Sequence, residues 1–294
     1  MVTQMKFKRI MSERVAESLK GRYLDESFGL HLIDQDMDGY DMYGDLLFRF
    51  RKNIIPQEIL STGVNAFEKS IKSTTSRGNA SGGYFNKIKK DGTESKFKES
   101  NPVESGNVGF MDAKDGVGTN NFCRKTSFAS EHFDKFQSGI PFVKHISDLY
   151  KELCPAQWEV QNKYARATNQ NYIIKDTVFT TVTVNKNFRT ALHRDSGDLE
   201  SGFGNLIVWE NDSYDGGYFL LPEWGVMINI KKSDMLFVDV HQWHCNTEYK
   251  LKPGYDQMER ISFVMYYREY MYRCPSPSEV LVDLKNNSLG YKTL

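Results

Sequence analysis

Apolar and polar positions change period once along this chain, near residue 177. Before it, helical spacing dominates. Residues 5–24 (MKFKRIMSERVAESLKGRYL) place apolar side chains at helical intervals, and residues 46–72 continue in a helix-like or mixed pattern. From 139 to 166 the spacing predicts two helices broken at Pro155, with Phe142, Ile146, Leu149, Tyr150 and Leu153 on one face. Beyond 177 the period falls to two. TVFTTVTVNKNF, GNLIVWE, GGYFLLP, GVMINI, DMLFVDV and RISFVMYY read as short strands separated by turn residues. Many short strands following helices predict a mainly β core in an α+β chain, a sandwich or barrel backed by helices. With chemistry-bearing residues on separated strands, the expected architecture is a double-stranded β-helix, a cupin-like jelly roll braced by N-terminal helices. The expected divisions are a helical and flexible basic region over 1–100, the β-helix domain with supporting helices over 101–275, and a tail over 276–294.

Composition narrows this little. The chain has 294 residues, a formal charge of zero and 39% hydrophobic residues, enough for a substantial core. It contains no apolar run of about 18 residues, which a membrane span needs. The N-terminal stretch MVTQMKFKRIMSERV lacks the apolar segment of a secretory signal. The expectation is an intracellular protein, nuclear or cytoplasmic, not secreted. Cys123, Cys154, Cys245 and Cys274 form no CxxC pair, and each reads as a small buried side chain in a reducing compartment. Neutrality hides one asymmetry. Residues 69–98 hold eight cations against Asp91 and Glu94, a local charge of +6 amid Ser, Gly and Asn. Such a stretch suits a mobile arm against phosphates, or a solvated loop.

An acidic run, DQDMDGYDMYGD, imitates a calcium loop. Asp34, Asp36, Asp38 and Gly39 match its early positions. The match then fails, because Asp41 stands at an apolar position and Asp45 where a bidentate Glu belongs. A solvated acidic turn is the expectation.

The chemistry concentrates in LHRDSGD, DVHQWHCNT and ERISFVMYY. His193 and Asp195, two apart, point to one face of an extended strand. A third ligand comes from DVHQWHCNT, where His241 and His244 compete. Three residues apart on a strand, they face opposite ways. Spacing to Arg260 favours His244, with His241 a neighbour that orients a ligand. Two imidazoles and one carboxylate on one side of a metal leave positions open, the arrangement of non-heme iron(II) oxygenases. Arg260 supplies a planar guanidinium able to grip a carboxylate bidentately, and Ser262 faces the same way. Iron(II), 2-oxoglutarate and O2 are the expected cofactor, co-substrate and oxidant. His31, His132 and His145 have no such company and read as structural.

The segments TVFTTVTVNKNFRTALHRDSGDLESGFGNLIVW, GGYFLLPEWGVMINIKKSDMLFVDVHQWHCNTE and RISFVMYY resemble the catalytic domain of the ten-eleven-translocation / base J-binding-protein (TET/JBP) group. The resemblance covers about residues 104–270 and is strongest over 177–267. Members are iron(II)- and 2-oxoglutarate-dependent dioxygenases that oxidise the 5-methyl group of pyrimidines in nucleic acids. Carried over, it makes His193, Asp195 and His244 the iron ligands and Arg260 the clamp on 2-oxoglutarate. It places Asn185, Asn187 and Arg189 near the co-substrate or base pocket. The style is nearer the base J-binding branch, whose members hydroxylate thymine, than the animal TET branch with its cysteine-rich zinc region. Tyr266 stands where AlkB-type repair enzymes carry a second Arg.

The resemblance implies hydroxylation of thymine to 5-hydroxymethyluracil in DNA, with 5-methylcytosine next. DNA would present a flipped base, stacked on one of Phe188, Trp209, Tyr214, Tyr218, Trp224 or Trp243, with Lys186, Arg189 and the 69–98 arm on phosphates. The alternative is a 2-oxoglutarate-dependent hydroxylase of a protein side chain or small metabolite. A jelly roll that binds without catalysis has no need of an open metal site.

Overall fold

A computed structural model describes residues 2–90, 92–113 and 122–287 of the chain. Asp91 and the end of the expected C-terminal tail lie outside the described residues. Strands in the first half are β1 (Thr3–Lys6), β2 (His31–Ile33), β3 (Met37–Tyr40), β4 (Leu46–Arg51), β5 (Lys72–Thr74), β6 (Phe85–Ile88), β7 (Glu94–Glu99), β8 (Val103–Met111) and β9 (Arg124–Lys125). Those in the second half are β10 (Thr181–Lys186), β11 (Gly204–Glu210), β12 (Tyr214–Gly216), β13 (Phe219–Leu221), β14 (Val226–Ile228), β15 (Met235–Val238), β16 (Cys245–Asn246), β17 (Tyr249–Leu251) and β18 (Arg260–Tyr266).

The large sheet runs β1-β3-β4-β15-β11-β18-β10-β8-β5, with β9 on β8. A smaller sheet, β16-β13-β14-β2, faces it. Between the two lies one apolar layer that includes Phe48, Leu206, Val208, Phe219, Leu221, Val226 and Val238. The helices α2 (Gln57–Phe67), α3 (Ser127–Glu131), α4 (Phe133–Ser138), α5 (Ile140–Leu153) and α6 (Pro155–Ala167) cover the other face of the large sheet. Two sheets of a jelly roll with helices behind one of them is the fold expected. Helices α5 and α6 meet at Cys154–Pro155, as the break at Pro155 predicts.

Alternation along the central strands decides which side chains reach the space between the sheets. On β18, Ile261, Phe263 and Met265 join the helical-side core. Arg260, Ser262, Val264 and Tyr266 therefore face the other way, into a cavity. On β10, Val182 and Val184 join the same core while Thr183 and Asn185 line the cavity. Antiparallel pairing sets Asn185 directly opposite Ser262. The buried apolar half of each strand thus fixes the register of the polar half.

The first hundred residues are less helical than their spacing suggests. Only Glu13–Ser18 (α1) of the 5–24 stretch is helical, and Thr3–Lys6 is a strand parallel to β3. Phe7 is buried between the sheets. Residues 46–51 form β4, a full member of the large sheet. Only the second part of the acidic run is a solvated turn: over 41–45 the Asp41 carboxylate accepts from the N–H groups of Tyr43, Gly44 and Asp45. Met37–Tyr40 is a strand, and Asp38 is buried in ion pairs with Arg49 and Arg51, both at 2.8 Å. Two guanidiniums from β4 compensate one buried carboxylate, which explains an acid in the middle of a covered strand. The basic stretch 69–98 is ordered into β5, a short turn and the β6–β7 hairpin.

The cysteines also need correction. Cys123 and Cys274 form a disulfide across 151 residues of sequence, with Cα atoms 5.8 Å apart. Local spacing carries no trace of a pair that only the fold brings together. Cys154 and Cys245 are free and buried, as read. Part of the expected tail, Pro277–Asn287, is a helix, α7. Among the described residues no helix is long and apolar enough to cross a membrane.

Candidate active site

The ligand-bearing segments are held by backbone, although neither is a regular strand. His193 and His244 form an isolated antiparallel bridge: each N–H donates to the other's carbonyl, at 3.0 and 2.9 Å. Asp195 N–H donates to Val240 O at 3.1 Å. These bonds clamp the segment after β10 to the one before β16 and put three side chains at one place. His193, Asp195 and His244 offer ligand atoms all within 4.8 Å of one another. His241 is not among them. It turns to Asp239, with Nδ1 3.4 Å from that carboxylate, which raises its pKa.

The hydrogen bonds of the two rings prepare them for a metal. His193 Nδ1 lies 2.8 Å from Ala191 O, and His244 Nδ1 lies 2.9 Å from Gln242 O. A carbonyl can only accept, so each Nδ1 carries a proton, and Nε2 is the ring atom left to meet a metal. Burial, then the neighbouring His193, pushes the His244 pKa down to about 4. Burial works to raise the Asp195 pKa, but the hydrogen bond from His193 and the nearby His244 bring it to about 2. At pH 7 His244 is therefore neutral and Asp195 anionic, as ligands of a divalent first-row ion must be. Phe219 stacks on His244 with ring centres 5.3 Å apart and an interplanar angle of 19°.

A cavity of about 440 Å³ opens beside these residues. At one end is Arg260, buried at 3% exposure. Its Nε finds no partner, and the hydroxyls of Tyr214 and Tyr249 are buried and unpartnered as well. The guanidinium carbon lies 5.6 Å from the centre of the Tyr249 ring. Burial disfavours the charge of Arg260, yet the nearby Tyr249, Tyr214 and Glu210 hold its pKa above the ordinary value. Unpaired donors around a buried cation leave a place for an anion. Ser262 shares this wall. A dicarboxylic acid held between the three ligands and Arg260 fits the orphaned donors.

The lead-in residues separate. Asn185 lines the cavity, and its Oδ1 accepts from Ser105 Oγ at 2.6 Å. Asn187 does not line it. It is exposed and left-handed, with φ of 49°, which Asn tolerates better than most residues. Its Oδ1 accepts from Arg260 N–H, its Nδ2 donates to Met258 O, both at 2.8 Å, and its N–H donates to Arg260 O at 2.9 Å. Asn187 thus fastens the backbone that carries Arg260. Arg189 also misses the cavity. It donates to Leu24 O at 2.9 Å, lies over the Tyr23 ring, and borders a second cavity with Lys186, Asn187 and Phe188. Of the six aromatics considered as base platforms, only Phe188 lines the main cavity. Trp224 and Trp243 are buried in apolar clusters, and Tyr214 stands beside Arg260. Cys245, next to His244, points into the cluster around Trp243, away from the site.

The sequence reading missed a polar wall. Arg77, Asn107, Asp198 and Arg268 line the cavity near the ligands. Arg268 pairs with buried Asp112 at 2.6 Å. Arg77 meets only Ser105 and Asn107, without a carboxylate, and its Nε is buried and unpartnered. Burial accordingly lowers its pKa. Burial and the adjacent Asp195 raise the Asp198 pKa well above the carboxylate range. Asp198 was within sight, three residues past Asp195 in HRDSGD. Nothing local marks Arg77, 116 residues before His193.

Residues 108–269 match the family model of the Tet_JBP oxygenase domain of the 2OGFeDO superfamily. Thymine dioxygenase JBP1 of Trypanosoma brucei brucei is 36% identical over 181 residues, 62% of this chain and 21% of that protein. Thymine dioxygenase JBP1-B of Trypanosoma cruzi (strain CL Brener) is 29% identical over 256 residues, 87% of this chain and 29% of that protein. The chain therefore spans between a fifth and a third of the length of these relatives. NgTET1, solved in complex with 5mC DNA, has the same fold, with a TM-score of 0.60 at 15% identity, covering 97% of this chain and 90% of that one. With more than half of its length inside the family model, the chain belongs to the Tet_JBP oxygenases of the 2OGFeDO superfamily.

Proposed function

We propose that this chain hydroxylates the 5-methyl group of a pyrimidine in DNA, thymine before 5-methylcytosine, using iron(II), 2-oxoglutarate and O2. One observation carries the chemistry: a buried arginine without an anion shares a cavity with a His-Asp-His cluster. The relatives named thymine dioxygenase support the substrate.

In this reading Nε2 of His193, Nε2 of His244 and a carboxylate oxygen of Asp195 hold the iron. Bound there, iron(II) with 2-oxoglutarate supplies the oxidising power to place one oxygen atom of O2 on the methyl and the other in succinate, with release of CO2. Arg260 and Ser262 grip the far carboxylate of 2-oxoglutarate, assisted by the Tyr214 and Tyr249 hydroxyls. Buried charges at both ends of the co-substrate set its position before the base arrives. Thymine shows two carbonyl acceptors flanking one N–H donor. The guanidiniums of Arg77 and Arg268, with the carboxyl of Asp198 among them, offer the complementary donors and acceptor. A methyl inside a duplex cannot reach this cavity, so the base must flip out. Phe188 offers a face for it.

The test is mass spectrometry of nucleosides after incubating thymine and 5-methylcytosine DNA with protein, iron(II) and 2-oxoglutarate. 5-Hydroxymethyluracil is expected, at a higher rate than 5-hydroxymethylcytosine. Succinate release with neither product would move the substrate to a protein side chain or small metabolite.

A further inference from the structure

The most unusual surface of the molecule begins where the cavity ends. Tyr84 lines the cavity mouth, and the next residue starts the β6–β7 ribbon. Among the described residues the two strands pair only with each other. Almost every position on them is exposed. A two-stranded ribbon without a covering layer is marginal in water, and apolar residues on one are normally hidden. Here Phe97 is 78% exposed, Ile88 58%, Tyr84 57% and Phe85 46%.

Register sorts these side chains. Phe85 pairs with Glu99 and Asn86 with Lys98, and a bulge then shifts the register so that Ile88 pairs with Glu94. Lys87 is tied to Glu99 at 3.3 Å. Lys98 lies on the face of Asn86, Lys96 and Phe97 are exposed at the bulge, and Lys89 and Lys90 follow β6 at the turn. Among the described residues no ion pair involves Lys89, Lys90, Lys96 or Lys98. The ribbon thus combines exposed aromatic rings with uncompensated lysines beside the opening through which a substrate must pass.

We propose that the β6–β7 ribbon is the element that holds duplex DNA over the cavity, with Lys89, Lys96 and Lys98 on phosphates and Phe97 as an apolar wedge against the bases. This rests on the reading of DNA as substrate and adds to it the surface that grips the duplex. The charge of the lysines complements a polyanion, and a two-stranded ribbon is narrow enough to enter a DNA groove. Apolar wedges that unstack a base step lower the cost of extruding a nucleotide. An acidic or neutral partner of another kind would leave either the lysines or the rings without a role.

The test separates grip from chemistry. Binding of metal-free protein to a fluorescein-labelled duplex is followed by anisotropy at several salt concentrations. The triple variant K89A/K96A/K98A is expected to bind at least tenfold more weakly. Its log-log salt slope is expected to be shallower by about 2–3, as for three lost phosphate contacts. F97A is expected to keep the salt slope but lose most of the fluorescence rise of 2-aminopurine placed beside the target thymine. All substituted side chains are solvent-facing, and an unchanged melting temperature and cobalt(II) binding confirm intact folding. Wild-type binding and slope in the triple variant, or no DNA binding by the wild type, overturn the proposal. DNA binding that depends on the ribbon, without any oxidised pyrimidine, leaves the ribbon standing and overturns only the assigned substrate.

Discussion

The two ends of the cavity are built on opposite rules. At the inner end, around His193, Asp195, His244 and Arg260, backbone bonds fix each position. His193 and His244 exchange N–H···O bonds, Asp195 is tied to Val240, and Arg260 to Asn187. The few orphaned donors there point at one place. At the outer end, from Tyr84 into the ribbon, side chains are exposed and the hairpin that carries them has no covering layer. The inner end is suited to hold small ions of fixed shape, and preorganisation there costs the reaction little. The outer end is suited to a large partner that brings its own order. Substitutions inside should therefore disturb metal and co-substrate, and substitutions outside should disturb the nucleic acid.

The largest contrast is expected at the two histidines of DVHQWHCNT. His244→Ala removes one of three ligands, so metal-dependent 2-oxoglutarate turnover should fall to background and cobalt(II) binding, read by absorption, should be lost. His241→Ala, three residues away, should keep both, because that ring turns to Asp239. The reverse pattern would remove the assignment of the metal site.

Next in size is Arg260. Arg260→Lys keeps a charge but not the two-pronged grip of the guanidinium. Truncating one partner of a buried charge pair costs about 2–5 kcal/mol. A rise of about 100-fold in the KM for 2-oxoglutarate, with cobalt(II) binding intact, is the expected outcome. A matching rise in the Kd for DNA would blur the division between the two ends.

This division also explains what the sequence discloses. The strands from 204 to 267 are legible as short apolar runs between turn residues, because β11 and β15 are buried on both faces, with Ile207, Met235 and Phe237 in one core and Leu206, Val208, Leu236 and Val238 in the other. Ile261, Phe263 and Met265 reveal β18, and the same alternation points Arg260 and Ser262 inward. The N-terminal strands hide for a different reason. In LLFRFR the polar alternates are arginines, which look like a solvated helix face. They are in truth partners of Asp38, a residue no local pattern connects to them. Asn187 was legible as important but not for its role, since its work is done on the backbone of a strand 73 residues away. The disulfide and Arg77 depend wholly on tertiary proximity. Motifs mark the inner end because metal and carboxylate chemistry demands particular side chains. The outer end is visible only as a charge imbalance, since phosphates accept any well-placed cation.

A smaller effect is expected at Asn187, which touches no ligand in this reading. Asn187→Ala removes its bonds to Arg260 N–H and Met258 O, each worth about 1 kcal/mol. It should raise the KM for 2-oxoglutarate by about five- to tenfold through a displaced Arg260. A purely structural role would instead lower the melting temperature without changing that KM. Gln at this position restores the groups but not the reach, and should rescue only partly.

The smallest effect concerns protons. Burial lowers the His244 pKa from 6.5 to about 4, so the unfolded chain protonates this ring at a pH where the folded one does not. The stabilising contribution is present above pH 6.5 and is lost as pH falls toward 4. At pH 5.5 the linkage amounts to about 1.4 kcal/mol in the metal-free protein, roughly 2–4 °C in melting temperature for a chain of this class. Metal-free His244→Gln lacks this titration, so its melting temperature should fall less steeply between pH 7 and 5.5 than that of the wild type. Parallel curves would mean that the ring is already protonated in the fold, and that Nε2 is not free for a metal until a proton leaves.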